Sequence, residues 1–391
     1  MDVQPVERLI SEVLHGLVFF EEFVFAKNKF KPPDGTELEL ADAVVALDDV
    51  LLVMQIKERY ITNPTNQVAE SNWFDRKVVR TGTRQVRDTL RYLEAHSEIT
   101  LPNERGRLFN IAAGRYSEII KFIVYRGSNS LPDDKRMKKF HRSNEGGFIH
   151  LIEAGDYLNT AKVLRVPEEL IRYFRYRERM LTTFEAECAA LPEASLVGGY
   201  VGGTDDRPPN FESFRNLHRL TPDEETWDIS PYLRTLRDHT SDPKYNDDYY
   251  SILTEFVRLP RSMWRLFKER LVLCIENAAH DKFSLPYRFA DPARDVGFML
   301  FAPDSGFTKR EDWPDHRIQG LINFTALNKF DQKLKKCIGV QVAKDGQDFD
   351  IQWCMIVGEW VDDPDIRKKL DASSPFRPVR TQNQFSYFLV D

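Results

Sequence analysis

The stretch 37–59, ELELADAVVALDDVLLVMQIKER, is almost continuously apolar apart from Asp42, Gln55, Lys57 and the charged groups at its turn and outer ends. Runs of this kind are what central strands buried on both faces require. A carboxylate, a carboxamide and an ammonium inside them are costly unless they have partners or a task. With Asp48-Asp49 at the centre of a turn, opposed residues have numbers summing to 97, which sets Asp42 opposite Gln55. Lys57, two residues on, shares their face. The three Cβ atoms then lie within about 4.5–8 Å of one another, and a slip of one residue would scatter them. A hard divalent cation takes oxygen ligands and keeps several waters. Asp42, the Gln55 carboxamide oxygen and the Ile56 carbonyl therefore suit magnesium or manganese. Lys57 suits orienting a metal-bound water or stabilising charge on a phosphate. The expected chemistry is metal-assisted hydrolysis of a phosphodiester; the plainer alternative is a structural salt bridge between Asp42 and Lys57 at a sheet end.

Asp42 followed by Gln55-Ile56-Lys57 resembles the signature of the PD-(D/E)xK nuclease superfamily, an acid in one strand and (D/E/Q)-x-K in the next. The Q-x-K form is most similar to the Mrr-like branch. The resemblance implies a restriction-endonuclease-like fold, a metal-dependent endonuclease acting on nucleic acid, DNA in the first instance, and a prokaryotic defence or DNA-processing role. It also implies a glutamate on the first helix. Glu21 takes that place, on the stripe Ile10, Leu14, Leu17 and Val24, with Glu22 as second choice. The implied metal ligands are then Glu21, Asp42 and Gln55, and Lys57 completes the catalytic set. Gln85 in RQVRDTLRY resembles the Q-x-x-x-Y segment of the RecB-like branch, with Thr89 where the tyrosine would stand. The similarity covers roughly residues 5–125. The alternative of a different class is a noncatalytic nucleic-acid-binding or assembly protein on a decayed nuclease scaffold.

The helix expected at 75–95 carries Arg76, Lys77, Arg80, Arg84, Arg87 and Arg91. Five of these, omitting Lys77, step by 4, 4, 3 and 4 and share one face, opposite a buried stripe of Val79, Val86, Leu90 and Leu93. Arginines spaced this way track a phosphate backbone without reading bases; a solvated helix face is the competing reading. Lys135, Arg136, Lys138, Lys139, His141 and Arg142 form a second basic cluster, read either as a phosphate-contacting loop or as a solvated linker. The glycine-rich run 198–203 lacks the preceding strand and the lysine of a phosphate-binding loop, so it reads as a flexible connector. Trp353 and Trp360 read as core residues rather than stacking platforms.

These residues need elements to hold them. A first helix at 6–25, strands at 40–47, 50–57, 108–113 and 119–125 and the 75–95 helix make an N-terminal mixed sheet flanked by helices. The fold class is α/β, with a nuclease-like domain at 1–149, a mainly helical middle at 150–285 and a C-terminal α/β domain at 286–391. The last holds a strand at 296–301, a helix at 317–334 and a hairpin around Asp345-Gly346. Hydrophobic residues at 42% and charged residues at 30% of the 391 fit a globular chain and exclude disorder or collagen-like repetition. A net charge of −6, from 55 basic and 61 acidic residues, does not by itself advertise nucleic acid or a membrane. Four scattered cysteines match no zinc spacing or disulfide scaffold, and no span or signal segment is evident, so a cytoplasmic location is expected. Oligomerisation or a protein partner through the C-terminal region is left open.

Overall fold

The computed structural model describes residues 5–26, 29–31, 35, 37–59, 66–203, 205–220, 224–236 and 248–378. The chain divides into two compact units, Met1–Thr221 with the last four residues, and Pro222–Tyr387. Both are α/β, as the patterning indicated. The helices expected to form a separate middle do not form one body. Those from Ala154 to Val201 belong to the first unit and those from Asp248 to Ala279 to the second.

The first unit is built on a six-stranded mixed sheet in the order Val24–Phe25, Ala43–Leu47, Val50–Glu58, Glu118–Arg126, Gly147–Glu153, Phe140–Ser143. The central strand Val50–Glu58 runs antiparallel to Ala43–Leu47 and parallel to Glu118–Arg126. Its first five residues are fully buried, as a strand covered on both faces must be. One face, carrying Ile123, Tyr125, Ile149 and Leu151, packs against Phe74, Val78 and Val86 of a long helix. On the other, Phe122 and His150 stack at 5.0 Å and Phe174 meets Phe122 edge-on at 4.5 Å.

Three local expectations are corrected. The first helix does not reach residue 25. It covers Val6–Val13, widens into a π turn at Leu14–Val18, and ends before Phe20, whose φ of 65° reverses the chain into the strand Val24–Phe25. The arginine helix is likewise three pieces end to end: Gln67–Trp73, a π segment Phe74–Thr81, and Gly82–Ala95. A π turn holds more residues than an α turn. The buried line therefore runs Phe74, Val78, Gly82, Val86, Thr89, Leu93, and Val79 and Leu90 are only partly covered. The glycine-rich run is no flexible connector: residues 198–201 close the buried helix Glu193–Val201.

The second unit holds a four-stranded sheet, Tyr287–Asp291, Val296–Phe301, Lys336–Asp345, Asp348–Val357. The helix Trp313–Asp331 connects its two parallel strands, and the hairpin turns at Gly346, with a φ of 63°. Trp353 stacks on Phe267 at 5.8 Å, a core role as expected. Among the described residues no helix is long and apolar enough to cross a membrane, and all four cysteines are free.

Candidate active site

The hairpin register is the one the turn dictates. Every pair from Ala43↔Met54 to Leu47↔Val50 sums to 97. Asp42 lies just beyond the last pair, its backbone N–H donating to the Met54 carbonyl at 3.1 Å. Its carboxylate then reaches past Gln55. Oδ2 accepts from the Ile56 N–H at 2.5 Å and from Lys57 Nζ at 3.1 Å. Lys57 Nζ also donates to the Ile56 carbonyl at 2.9 Å. The ammonium is thus fixed by two oxygens, at an edge where both side chains keep some solvent contact, 13% for Lys57 and 21% for Asp42. Oδ1 of Asp42 has no hydrogen bond among the described residues.

Gln55 is 3% exposed, and its Oε1 is buried without a hydrogen-bond partner. Gln85 is partly buried on the helix packed over the same strands, and its Oε1 is also unpartnered. Gly82, one turn earlier, sits against Ile123, the register partner of Gln55, so closely that a Cβ would clash. Thr89 docks its hydroxyl on the Leu40 carbonyl and so fastens this helix beside the strand that leads into Asp42.

Glu21 is not part of this site. It pairs with Arg105 at 2.8 Å, and Glu22 shares the same guanidinium at 3.1 Å. The pairing Val24↔Val45, continued back by two residues, places Glu22 beside Leu47, at the turn end of the hairpin. Five residues at about 3.4 Å each separate that end from Asp42, roughly 17 Å. The first helix does deliver an acid, from its other end. The Val6 N–H donates to Glu58 Oε2 at 2.9 Å, tying the helix start to the end of the central strand. This puts Glu7 in an open cleft of about 370 Å³ lined also by Ile56, Lys57, Glu58, Trp73 and Lys77. Partial burial raises the Glu7 pKa, the charges of Asp42 and then Glu39 raise it further, and Lys57 opposes them. An acid in a helix's first turn is ordinarily read as a partner of the helix dipole. Nothing local marks Glu7 as a site residue.

Lys77 of the basic helix lines the cleft, and Arg76, Arg80 and Arg84 extend from it as exposed side chains with no ion pair among the described residues. Arg87 pairs with Glu145 at 2.8 Å and Arg91 with Asp88. The second basic cluster is largely committed to structure: Lys135 binds Asp75 at 2.8 Å, and buried Lys139 lies 3.6 Å from Glu193.

That glutamate belongs to a buried polar cluster on the opposite face of the sheet. Arg177, with no exposure, holds Glu193 through Nε at 2.6 Å and donates to the Lys139 and Leu151 carbonyls at 3.1 Å. Burial alone would raise the Glu193 pKa. Arg177, Lys139 and the hydrogen bonds from Arg177 and Tyr173 outweigh it and bring it to about 2. Burial and then the Glu193 charge lift nearby Asp156 to about 6. The cluster reads as fold architecture, since its central pair, Arg177 and Glu193, is sealed from solvent and bonded within the unit.

The oxygens suited to a hard cation are Asp42 Oδ1, which has no hydrogen bond among the described residues, Gln55 Oε1, buried and unpartnered, and the Glu7 carboxylate, burdened by neighbouring negative charge. No set of three or more histidine, cysteine or acidic residues that could hold a metal occurs among the described residues. This donor set fits an ion of the magnesium type, which binds through one or two carboxylates and completes its shell with water and substrate phosphate. No protein-family model matches this chain, and no curated protein and no solved structure matches it either.

Proposed function

We propose that the Met1–Thr221 unit is a divalent-metal-dependent nuclease that hydrolyses phosphodiester bonds, with DNA as the substrate. The observation that carries this reading is the Asp42–Lys57 pair, beside the cleft that holds Glu7 and Lys77, with a buried, unpartnered Gln55 oxygen on the same strand as Lys57. Asp42, Gln55 and Glu7 would hold magnesium or manganese. When bound, the ion supplies charge to the phosphate oxygens and acidity to a coordinated water.

The chain's own groups do the rest. Lys57, held by Asp42 Oδ2 and the Ile56 carbonyl, keeps its charge directed into the cleft, where it orients the attacking water or neutralises charge building on the phosphate. Glu58, tied to Val6 and to Arg126 at 3.0 Å, fixes the end of the strand rather than meeting substrate. Lys77, Arg76, Arg80 and Arg84 give the backbone of the nucleic acid a track leading to the cleft.

One observation favours the noncatalytic alternative: Asp42 Oδ2 is already satisfied by two donors, so the pair is stable without a cation. Plasmid nicking with magnesium and with chelator separates the two. The nuclease reading expects magnesium-dependent cutting that falls at least about a hundredfold in Asp42→Asn and in Lys57→Ala, a drop of the size that follows removal of one transition-state interaction. DNA binding with no cutting under any metal supports the binding protein instead.

A further inference from the structure

The second unit contains a cavity of about 520 Å³ at the carboxyl end of the strand Val296–Phe301, beside the start of the helix Trp313–Asp331. In open α/β sheets ligands bind outside the carboxyl ends of parallel strands, and this strand is parallel to its neighbour Lys336–Asp345. The cavity's walls are aromatic: Phe301, Phe324 and Trp313 lie inside, and Phe283 and Phe307 stand at the mouth, 68% and 53% exposed.

Gln341 lines this space. It interrupts the apolar run Ile338, Val340, Val342 and is itself 2% exposed, yet its carboxamide has no hydrogen bond among the described residues. Its cross-strand neighbour Gln352 turns away, donating to Asp350 at 3.0 Å. Lining the cavity with no partner among the described residues, the Gln341 carboxamide can offer a donor and an acceptor to an occupant. Two more amides line the same space. Gln319 donates to the Asn323 oxygen at 2.9 Å, which leaves the Gln319 oxygen and the Asn323 amino group for an occupant.

The guanidinium at the mouth is paired. Arg310 binds Asp312 at 2.7 Å, and Asp304 accepts the Gly306 N–H at 2.9 Å. An anionic group would find no free guanidinium among the described lining residues, so an uncharged occupant fits best. Aromatic faces stack flat rings, and a carboxamide matches a ring edge that offers a donor beside an acceptor. We propose that this cavity is a binding site for an uncharged nucleobase or nucleoside, stacked against an aromatic side chain of the lining with its polar edge on Gln341.

Isothermal titration of the full chain in magnesium-free buffer, with adenosine, guanosine, cytidine and uridine, tests this. At least one should bind with a Kd below about 1 mM and more tightly than its 5′-monophosphate. Gln341→Leu, which keeps the apolar volume, should weaken it about tenfold, the worth of one paired edge. Phe307→Ala at the exposed mouth should weaken it as well, without lowering the melting temperature. Asp42→Asn should bind as the parent does, so the outcome is independent of cleavage by the first unit. Failure of all four nucleosides, undiminished binding by Gln341→Leu, or tighter binding of the monophosphate would each overturn the proposal.

Discussion

Lys57 and Asp42 meet because a two-residue turn sets the pairing of everything above it, and pairing of that kind is arithmetic. That is why the contact between the two was readable from residue types alone. The acid proposed as the third, Glu7, was not readable. Choosing Glu21 required a helix that continued to residue 25; a π turn and the positive φ of Phe20 end it earlier and leave Glu21 on Arg105. Choosing Glu7 required knowing that Glu58 would cap the first helix from across the sheet, an interaction between residues 52 apart in sequence. The two acids therefore give opposite expectations. Glu7→Gln should lower magnesium-dependent cleavage by about tenfold or more, an effect of the order seen when one group supporting a metal is removed. Glu21→Gln should leave it within about twofold. Initial nicking rates of the two variants at saturating magnesium decide the matter, and equal rates would remove Glu7 from the site.

At the scale of elements, the basic helix was legible in its charge and less so in its phase. The arginine spacing implies one face only if the helix keeps a constant period, whereas the eight-residue π segment lets the buried line advance by fours through Phe74, Val78 and Gly82 before it resumes the α pattern at Val86. The charged side chains consequently divide into two groups. Arg76, Lys77, Arg80 and Arg84 remain free among the described residues, while Arg87 and Arg91 are held by acids. Replacing Arg76, Arg80 and Arg84 by alanine should weaken DNA binding at low salt and flatten the dependence of log affinity on log salt by roughly 0.9 for each phosphate no longer neutralised. Arg91→Ala should change neither quantity. Fluorescence anisotropy of a labelled duplex over a salt series measures both, and an unchanged slope in the triple variant would show that this helix does not touch the backbone.

For the molecule as a whole, the α/β class and the long central strands were legible, because turns and apolar runs are local, whereas Phe140–Ser143 and Gly147–Glu153 of the main sheet were not foreseen. The division into units was not, since a helix stripe shows that a face is buried without naming the sheet that buries it. The helices from Ala154 to Val201 belong to the first unit, and the cluster of Tyr173 and Arg177 with Glu193 and His150 ties two of them to each other and to the sheet. That cluster shapes how stability varies with pH. Glu193, lowered to about 2, contributes stability that is present above the ordinary carboxylate range and lost as pH falls towards 2. Asp156, raised to about 6, works the other way: its contribution is fullest below the unfolded value of 3.8 and is lost as pH rises through 6. Asp156→Asn should therefore stabilise the first unit at pH 7.5, by up to about 3 kcal/mol for a shift of roughly two units, and bring no gain at pH 4. Urea unfolding at the two pH values checks this; an equal effect at both would show that Asp156 titrates normally.

The helix Glu193–Val201 carries Gly198 and Gly199, with Gly202 just after it, and a Cβ at any of the three would collide with the 3-10 segment Phe211–Arg219 or with its approaches. Each glycine inside a helix forgoes about 1 kcal/mol relative to alanine, so this short helix is a poor one in isolation. The Asn216 amide, donating to the Gly198 carbonyl at 3.0 Å, rivets the two pieces together. Neither half is worth much to the fold alone. A nick between them, or a bulkier side chain at Gly198, would release a matched pair rather than a single element, and with it Glu193, the buried partner of Arg177.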